Sequence, residues 1–520
     1  MKKFVSLILF VILFVPLYAQ YGINEIKKNL DTNNIKADEY FLASDELEGR
    51  EITERGQKVA ALYIKTQFEK IGLKPVNGSY YQKVKVLKIN PPKNPELLVT
   101  NDTIISAKLM EEFYPSSEGR IIPEVSGEVV FAGYGITAPD FNYDDYRDID
   151  VKGKIVLILA QFPEDSKISK FNKTKFADYR STRYKVQNAL EHGAIAVLIM
   201  NEINRPFDLL IKSLGRMLSK PVFRLQEKDS KESIPFAYVS KKLSDIILKK
   251  SGLKTDVIKD SIDNNYKSFS FEIPNTSVKL RHGIERNIEE TENVVGLLEG
   301  VDKKLKDEYI IVSAHYDHEG VINNNIYNGA DDNASGTTGV LNVARILSKL
   351  KPKRSILFIA FTGEEKGLFG STFYESNPLI DFNKTKAAIN IDMIGRKDEK
   401  YENSDTSFYI YAIGPKIMGG NLPSILESAK KINNMYIDYQ FDTLEDMNMF
   451  YSRSDHYAFA KQGIPSTFFF NGEHKDYHKP TDKVDKIIFT LLYKRIEMIS
   501  YFTFLLANSN ETVKIERPIP

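Results

Sequence analysis

From Asn293 onward the chain alternates between two hydrophobic patterns. Short runs are apolar at nearly every position: Tyr309–Val312, Ser355–Phe361, Ala387–Ile391 and Ser466–Phe470. Between them, apolar residues recur at helical spacing. Val340, Val343, Ala344, Leu347 and Leu350 share one face of a helix predicted over about 338–350, which Pro352 stops. Strands alternating with amphipathic helices predict an α/β fold with a mostly parallel central sheet flanked by helices.

Residues 125–270 read differently. Short β signals at 128–136, 154–159 and, after a helix, 194–200 crowd together, with polar edges at Pro123 and Ser261–Ser268. This stretch is expected to be an inserted, β-rich α+β domain. Ahead of it, Ala60, Leu62, Tyr63, Phe68 and Ile71 predict helix within 35–73, ending at Gly72. At the very start, Lys2 and Lys3 precede an apolar run from Phe4 to Leu17, followed by Ala19. That layout predicts a secretory signal over 1–19, too short for a comfortable membrane span. The mature protein is therefore expected to be exported, periplasmic or extracellular, with no stable span.

Composition narrows the picture. At 520 residues, 42% hydrophobic and 27% charged, the chain is too long for one ordinary core and has the balance of a globular enzyme. A formal net charge of +1 gives no basis for a nucleic-acid partner. The chain has no Cys, so any metal site must be built from His and carboxylates.

Candidate chemistry sits at the ends of the apolar strands. The first runs into Ser313-Ala314-His315-Tyr316-Asp317-His318, the second into Thr362-Gly363-Glu364-Glu365, the third into Asp392, and the fourth opens a loop carrying Tyr477 and His478. Parallel sheets place their sites at the carboxyl ends of strands. A further acidic pair, Asp331-Asp332, sits between glycines just ahead of the predicted helix. One carboxylate bridging two cations, with a His and a carboxylate completing each side, makes a sensible di-zinc site with room for water. Of the adjacent Glu364 and Glu365, one can ligate while the other serves as a base.

Taken together, SAHYDH, GADDNASG, FTGEEKGLFGS, NIDMIGR, SDHYAF with GIP, and DYHKPTD resemble, in order and rough spacing, the co-catalytic di-zinc exopeptidases. That family includes secreted bacterial aminopeptidases, glutamate carboxypeptidase and the catalytically dead transferrin receptor. The insert, with FAGYGI, DVKGKIVLIL and ALEHGAIAVLIM, resembles a protease-associated domain. The resemblance implies a layout of signal 1–19, first part of the peptidase domain 20–124, insert 125–270 and catalytic domain 271–520. It implies two zinc ions per chain. His315 and Asp392 would hold one, Glu365 and His478 the other, and Asp332 would bridge them.

Glu364 would be the general base, Asp317 would orient His315, and Tyr477 would help stabilise the oxyanion. Asp331, His318 and His474 are read as loop structure, and Asp455 and His456 as either pocket lining or a brace. His192 and His282 are read as incidental. The implied activity is exopeptidase action on peptides, foremost from the N-terminus. A carboxypeptidase, a dipeptidase, a glutaminyl cyclase and a non-catalytic receptor-like homologue are the alternatives.

Overall fold

The computed structural model describes residues 22–516, apart from 117–123, 164–178, 202–205, 214–219, 227–232, 266 and 406. The expected signal 1–19 and the edge at Pro123 lie outside the described residues. The chain divides into two units. One runs up to Val86 and resumes at Glu289, and the other is Leu87–Ile288.

The strands of the first unit are β1 (Tyr81–Ile89), β2 (Arg286–Leu298), β3 (Tyr309–His315), β4 (Ser355–Phe361), β5 (Thr385–Ile391), β6 (Tyr409–Ile413), β7 (Tyr436–Asp438) and β8 (Ser466–Phe470). Side by side they run β1-β2-β4-β3-β5-β8-β6-β7. In the middle, β4, β3, β5 and β8 are parallel neighbours. Antiparallel β2 and β6 flank them, and β7 pairs with β6 in parallel.

The central strands are apolar throughout because both faces are covered. Ile310, Val312, Phe358 and Ile389 enter one core. Ile311, Leu357, Ile359 and Ala388 enter the other. Register aligns the strand ends, with His315 opposite Phe361, so the residues just past each strand emerge on one edge.

Four helices matter to that edge: α1 (Thr32–Leu42), α2 (Arg55–Ile71), α3 (Gly336–Ser348) and α4 (Phe489–Asn508). Helix α3 packs on α1, α2 and α4. The helical pattern expected over 35–73 is broken between α1 and α2 by a tight turn over Asp45–Arg50, where Glu48, Gly49 and Arg50 all have positive φ. The break has a purpose that periodicity does not carry: it buries Arg50. The guanidinium donates to the carbonyls of Tyr316 (2.8 Å), Asn328 (2.6 Å), Gly329 (3.0 Å) and Leu42. One side chain thus ties the end of β3 and the loop before α3 to the start of the chain.

The second unit holds its own sheet, in the order Ile104–Ser106, Glu96–Thr100, Ser270–Arg281, Val125–Ala132, Ile155–Leu159, Ala196–Met200, Phe236–Val239 and Phe113–Pro115. Along Ile155–Leu159 and Ala196–Met200, alternate residues enter separate cores, Leu157 and Leu198 on one side, Val156 and Val197 on the other. This unit is wider than the 125–270 read from the sequence. Glu96–Thr100 pairs with Ser270–Arg281 in the same sheet, and Ser261 lies within a helix, Thr255–Asn265, rather than at a boundary. Strands as short as Glu96–Thr100 and Ile104–Ser106 carry too few residues to announce themselves by pattern.

Arg50→Met should remove the donor from the buried carbonyls of Leu42, Tyr316 and Asn328, while Gly329 keeps the Ala334 N–H, and cost at least about 3 kcal/mol of stability. Urea unfolding at neutral pH measures this. A loss below about 1 kcal/mol would mean the guanidinium is not the tie described.

Candidate metal centre

At the carboxyl edge, each side chain is placed by the backbone that leaves its strand. His315 is the last residue of β3 and is 1% exposed. Its Nδ1 lies 3.2 Å from the backbone carbonyl of Asp317, and its Nε2 points outward from the strand end. Nε2 is 3.2 Å from Asp392 Oδ1 and 3.4 Å from Asp332 Oδ1. Asp392, just past β5, is held from behind. Ser454 Oγ donates to its Oδ2 at 2.7 Å, and Asn390 Nδ2 donates in turn to Ser454.

Asp332 sits in a loop that starts at Gly329, in the left-handed region at φ 55°. A Cβ on Gly329 would lie 2.1 Å from the Asp332 carbonyl and 2.4 Å from the His318 ring, so this close approach requires glycine. Below the loop, Asp482 Oδ2 accepts the backbone N–H groups of both Asp331 (3.0 Å) and Asp332 (3.1 Å). The two acids then part. Asp331 turns into the scaffold, accepting from Gly395 N at 2.6 Å and contacting His474 Nε2 at 3.0 Å. Asp332 turns to the surface of the edge, with Oδ1 toward His315 and Oδ2 3.1 Å from His478 Nε2.

After β4, Gly363 at φ 70° turns the chain so that Glu364 and Glu365 diverge. Asp317 accepts both of their N–H groups, at 3.2 and 3.4 Å. Glu365 Oε2 is 3.1 Å from His478 Nε2. Glu364 Oε2 stays 3.9 Å from His315 Nε2, outside any closer contact with the ring. His478 has φ 52°, and the Tyr477 ring stacks beside it with centroids 3.9 Å apart. Asp332, Glu364, Asp392, Tyr477 and His478 open onto a pocket whose walls are Met393, Phe450, Phe468 and Phe470, with Arg453 and Glu473 at hand. Arg453 and Glu473 pair at 3.1 Å.

The electrostatics record the crowding. Burial pushes the Glu364 carboxyl well up, with Asp392, Glu365 and Asp455 adding to it and His315 opposing. Burial acts the same way on Asp332, but His315 and His478 outweigh it and hold its carboxyl well below the usual range. For His478 burial disfavours the cation, yet Asp332 and Glu365 lift it to about 11. Burial and the surrounding carboxylates keep the Tyr477 phenol protonated far above its ordinary range.

These donors suit a pair of cations sharing Asp332. A tetrahedral ion with bonds of about 2.0–2.2 Å sets its ligand atoms about 3.3–3.6 Å apart. The ring-to-carboxylate separations around His315 and His478, 3.1–3.4 Å, lie near that range. Asp332 Oδ2 is buried and, among the described residues, accepts no hydrogen bond despite facing His478. Such an orphaned carboxylate oxygen fits a metal partner. Groups with all donor atoms within 4.8 Å include His315 with Asp332 and Asp392, His318 with Asp332 and Glu365, and Glu319 with Glu365 and His478.

The ligand and catalytic residues expected from the sequence all meet here. Asp317 differs in how it acts: its backbone carbonyl faces His315, while its carboxylate, 3.9 Å from the ring, holds the Glu364 and Glu365 amides. Asp455 and His456 are fully buried and line no part of the pocket. His456 stacks on Phe468, which makes it a brace. His192 contacts the Asn188 carbonyl and stacks on Tyr146, and His282 contacts the Phe236 carbonyl. Sequence reasoning passed over Arg50, Ser454, Asp482 and the contact His318 makes with Glu365. Asp482, Ser454 and His318 had a motif signal, as the last residue of DYHKPTD, the first of SDHYAF and the last of SAHYDH.

Comparison with known proteins adds a family context. Residues 293–503 match Peptidase family M28, and residues 125–247 match the PA domain. Aminopeptidase YwaD of Bacillus subtilis (strain 168) is 26% identical over 389 residues, spanning 72% of this chain and 68% of its own length. Leucine aminopeptidase 2 of Arthroderma otae is 29% identical over 202 residues, spanning 35% of this chain and 39% of its own. Among solved structures, an aminopeptidase from Aneurinibacillus sp. strain AM-1 aligns over 96% of this chain and 98% of its own. At 22% identity and a TM-score of 0.55, that likeness speaks for the fold.

Gly329→Ala should strain the backbone and displace Asp332 or His318, lowering stability by about 1–3 kcal/mol. Thermal unfolding alongside divalent-metal uptake tests it. Unchanged stability and uptake would show that the loop tolerates a Cβ there.

Proposed function

We propose that this chain, a metallopeptidase whose residues 293–503 match Peptidase family M28 and residues 125–247 the PA domain, is an exported di-zinc aminopeptidase. The observation that carries the reading is the pair of donor clusters joined through the two oxygens of Asp332. One zinc would be held by His315, Asp392 and Asp332, the other by Glu365, His478 and Asp332. When bound, such ions supply Lewis acidity and lower the pKa of water. Zinc also matches a donor set of imidazoles and carboxylates with no thiolate.

The chain's own residues supply the rest. Glu364 lines the pocket without a short contact to His315, which leaves its carboxylate open to water as a general base. It takes a proton from water as the water oxygen adds to the scissile carbonyl carbon. It then hands that proton to the amide nitrogen as the C–N bond breaks. Tyr477, held protonated, donates a hydrogen bond to the oxygen that gains charge.

Met393, Phe450, Phe468 and Phe470 make the pocket wall apolar, which favours a large apolar side chain beside the scissile bond. Attack from the N-terminus is favoured by the relatives, which are named as aminopeptidases. Export rests on the pattern of the first twenty residues, Lys2 and Lys3 ahead of an apolar run. Among the described residues, no helix is long and apolar enough to cross a membrane.

A mass-spectrometric digest of the zinc-loaded protein tests which end is attacked, using a free peptide, its N-acetylated twin and its C-amidated twin. Stepwise loss from the free and amidated peptides, spared in the acetylated one and abolished by chelator, is expected. Trimming of the acetylated peptide from its other end would replace aminopeptidase with carboxypeptidase.

Glu364→Gln should retain zinc and lower kcat by about 10²-fold or more, with little change in KM. Turnover within a few-fold of the unmodified enzyme would remove Glu364 from its role.

A further inference from the structure

The two oxygens of Glu365 face different partners. Oε2 looks toward His478 Nε2 at 3.1 Å, where the second zinc is proposed. Oε1 turns away to His318 Nδ1 at 2.7 Å. His318 is fully buried. Its backbone N–H donates to the Arg50 carbonyl at 3.3 Å, and its ring lies against Gly329, where a Cβ would intrude. Its position is therefore fixed from two sides.

Two roles are open to such a ring, ligand or positioner, and distance separates them. Ligand atoms sharing one tetrahedral ion stand about 3.3 Å or more apart. A 2.7 Å approach is the length of a charge-assisted hydrogen bond. From Asp332 Oδ2, the other donor facing this site, Nδ1 stands 3.8 Å away. Among the described residues the buried Nε2 has no hydrogen-bond partner, which favours the tautomer with the proton on Nδ1, since an unpaired lone pair costs less than an unpaired N–H.

We propose that His318 is a positioning residue for Glu365: its Nδ1–H holds Oε1, so that the carboxylate offers Oε2 alone to the second zinc. The inference rests on the two-zinc reading above. A carboxylate left free to swing can present both oxygens to the same ion and occupy the position that substrate requires. Groups behind a ligand are also a main determinant of metal affinity, commonly worth about 10–100-fold.

The test is zinc binding itself. Metal-stripped protein is titrated with Zn²⁺ against a chelator of known affinity, for the unmodified chain and for His318→Ala, His318→Asn and His318→Gln. The amide nitrogen of Asn falls near the place of Nδ1, that of Gln near Nε2. The unmodified chain should take two ions. His318→Ala should keep the first and bind the second about 10–100-fold more weakly. His318→Asn should recover most of that loss and His318→Gln should not.

Second-site affinity unchanged in His318→Ala would overturn the inference. So would equal weakening of both sites, or Asn performing no better than Gln, which would make the imidazole a ligand or a packing group. If His318→Ala does not fold, the contrast between Asn and Gln decides. An unmodified chain that binds a single ion would overturn the two-zinc reading and this inference with it.

Discussion

The structure turns on a concentration of buried negative charge. Asp317, Asp332, Glu364, Glu365, Asp392 and Asp455 converge where parallel strands end, and all are screened from bulk water. Two carboxylates about 4 Å apart repel by about 4 kcal/mol at an effective dielectric of about 20. The protein answers in three ways. Histidines stand between the acids, and His478 is lifted to about 11 as a result, despite its burial. Backbone amides are aimed at some, as in the pair accepted by Asp317. The remainder have their proton affinity raised by burial first and by their neighbours after, Asp455 to about 7. Each answer is partial, and in the function proposed above a pair of divalent cations would complete them.

Holding such a cluster together requires a frame that does not relax. The frame draws on segments far apart in the chain: Arg50 from the lead-in turn, Asp482 and His474 from near the end, and Ser454 between β7 and β8. The long insert enters between β1 and β2, at one side of the sheet order, while the strands that carry the site are β4, β3, β5 and β8. An excursion of that length is therefore taken where no ligand-bearing strand end is interrupted. The sheet can remain a single register-locked body through its centre, which is what the positions of His315 and Asp392 depend on.

Much of this was legible from sequence because the strands are apolar at every position and their polar termini stand out against them. His315, Glu364, Glu365 and Asp392 each come at the end of such a run, and the structure brings them together with Asp332 and His478. Less visible were residues whose role depends on a partner far along the chain. Arg50 reads as one charge among many in EGREITERG, and its burial is clear only once the break between α1 and α2 aims it at Tyr316 and Gly329. Ser454 has no periodic signature. His318 reads as loop structure beside its motif, and only its distance to Glu365 separates it from the surrounding loop. That the second compact unit reaches beyond 125–270 is hidden for a similar reason: Glu96–Thr100 is an ordinary short strand until Ser270–Arg281 pairs with it.

The adjacent acid pairs show why local sequence carried the site as far as it did. Placing two carboxylates next to each other is costly unless the backbone sends them apart. After Gly363 the chain turns, so Glu365 meets His478 and His318 while Glu364 stays clear of both clusters. After Gly329 the same division occurs: Asp332 reaches both ring nitrogens, and Asp331 is used up by Gly395, Ser335 and His474. In each pair a left-handed glycine precedes the acids and a distant acid, Asp317 or Asp482, accepts the amides of both. The repeated device explains the division of labour. Fixing the two amides fixes the directions in which the side chains depart, so one acid faces the histidines of the cluster and its neighbour points elsewhere, which in the proposed function leaves that neighbour for proton transfer or for support. Exchanging the members of a pair would preserve composition and charge while leaving each function pointed the wrong way.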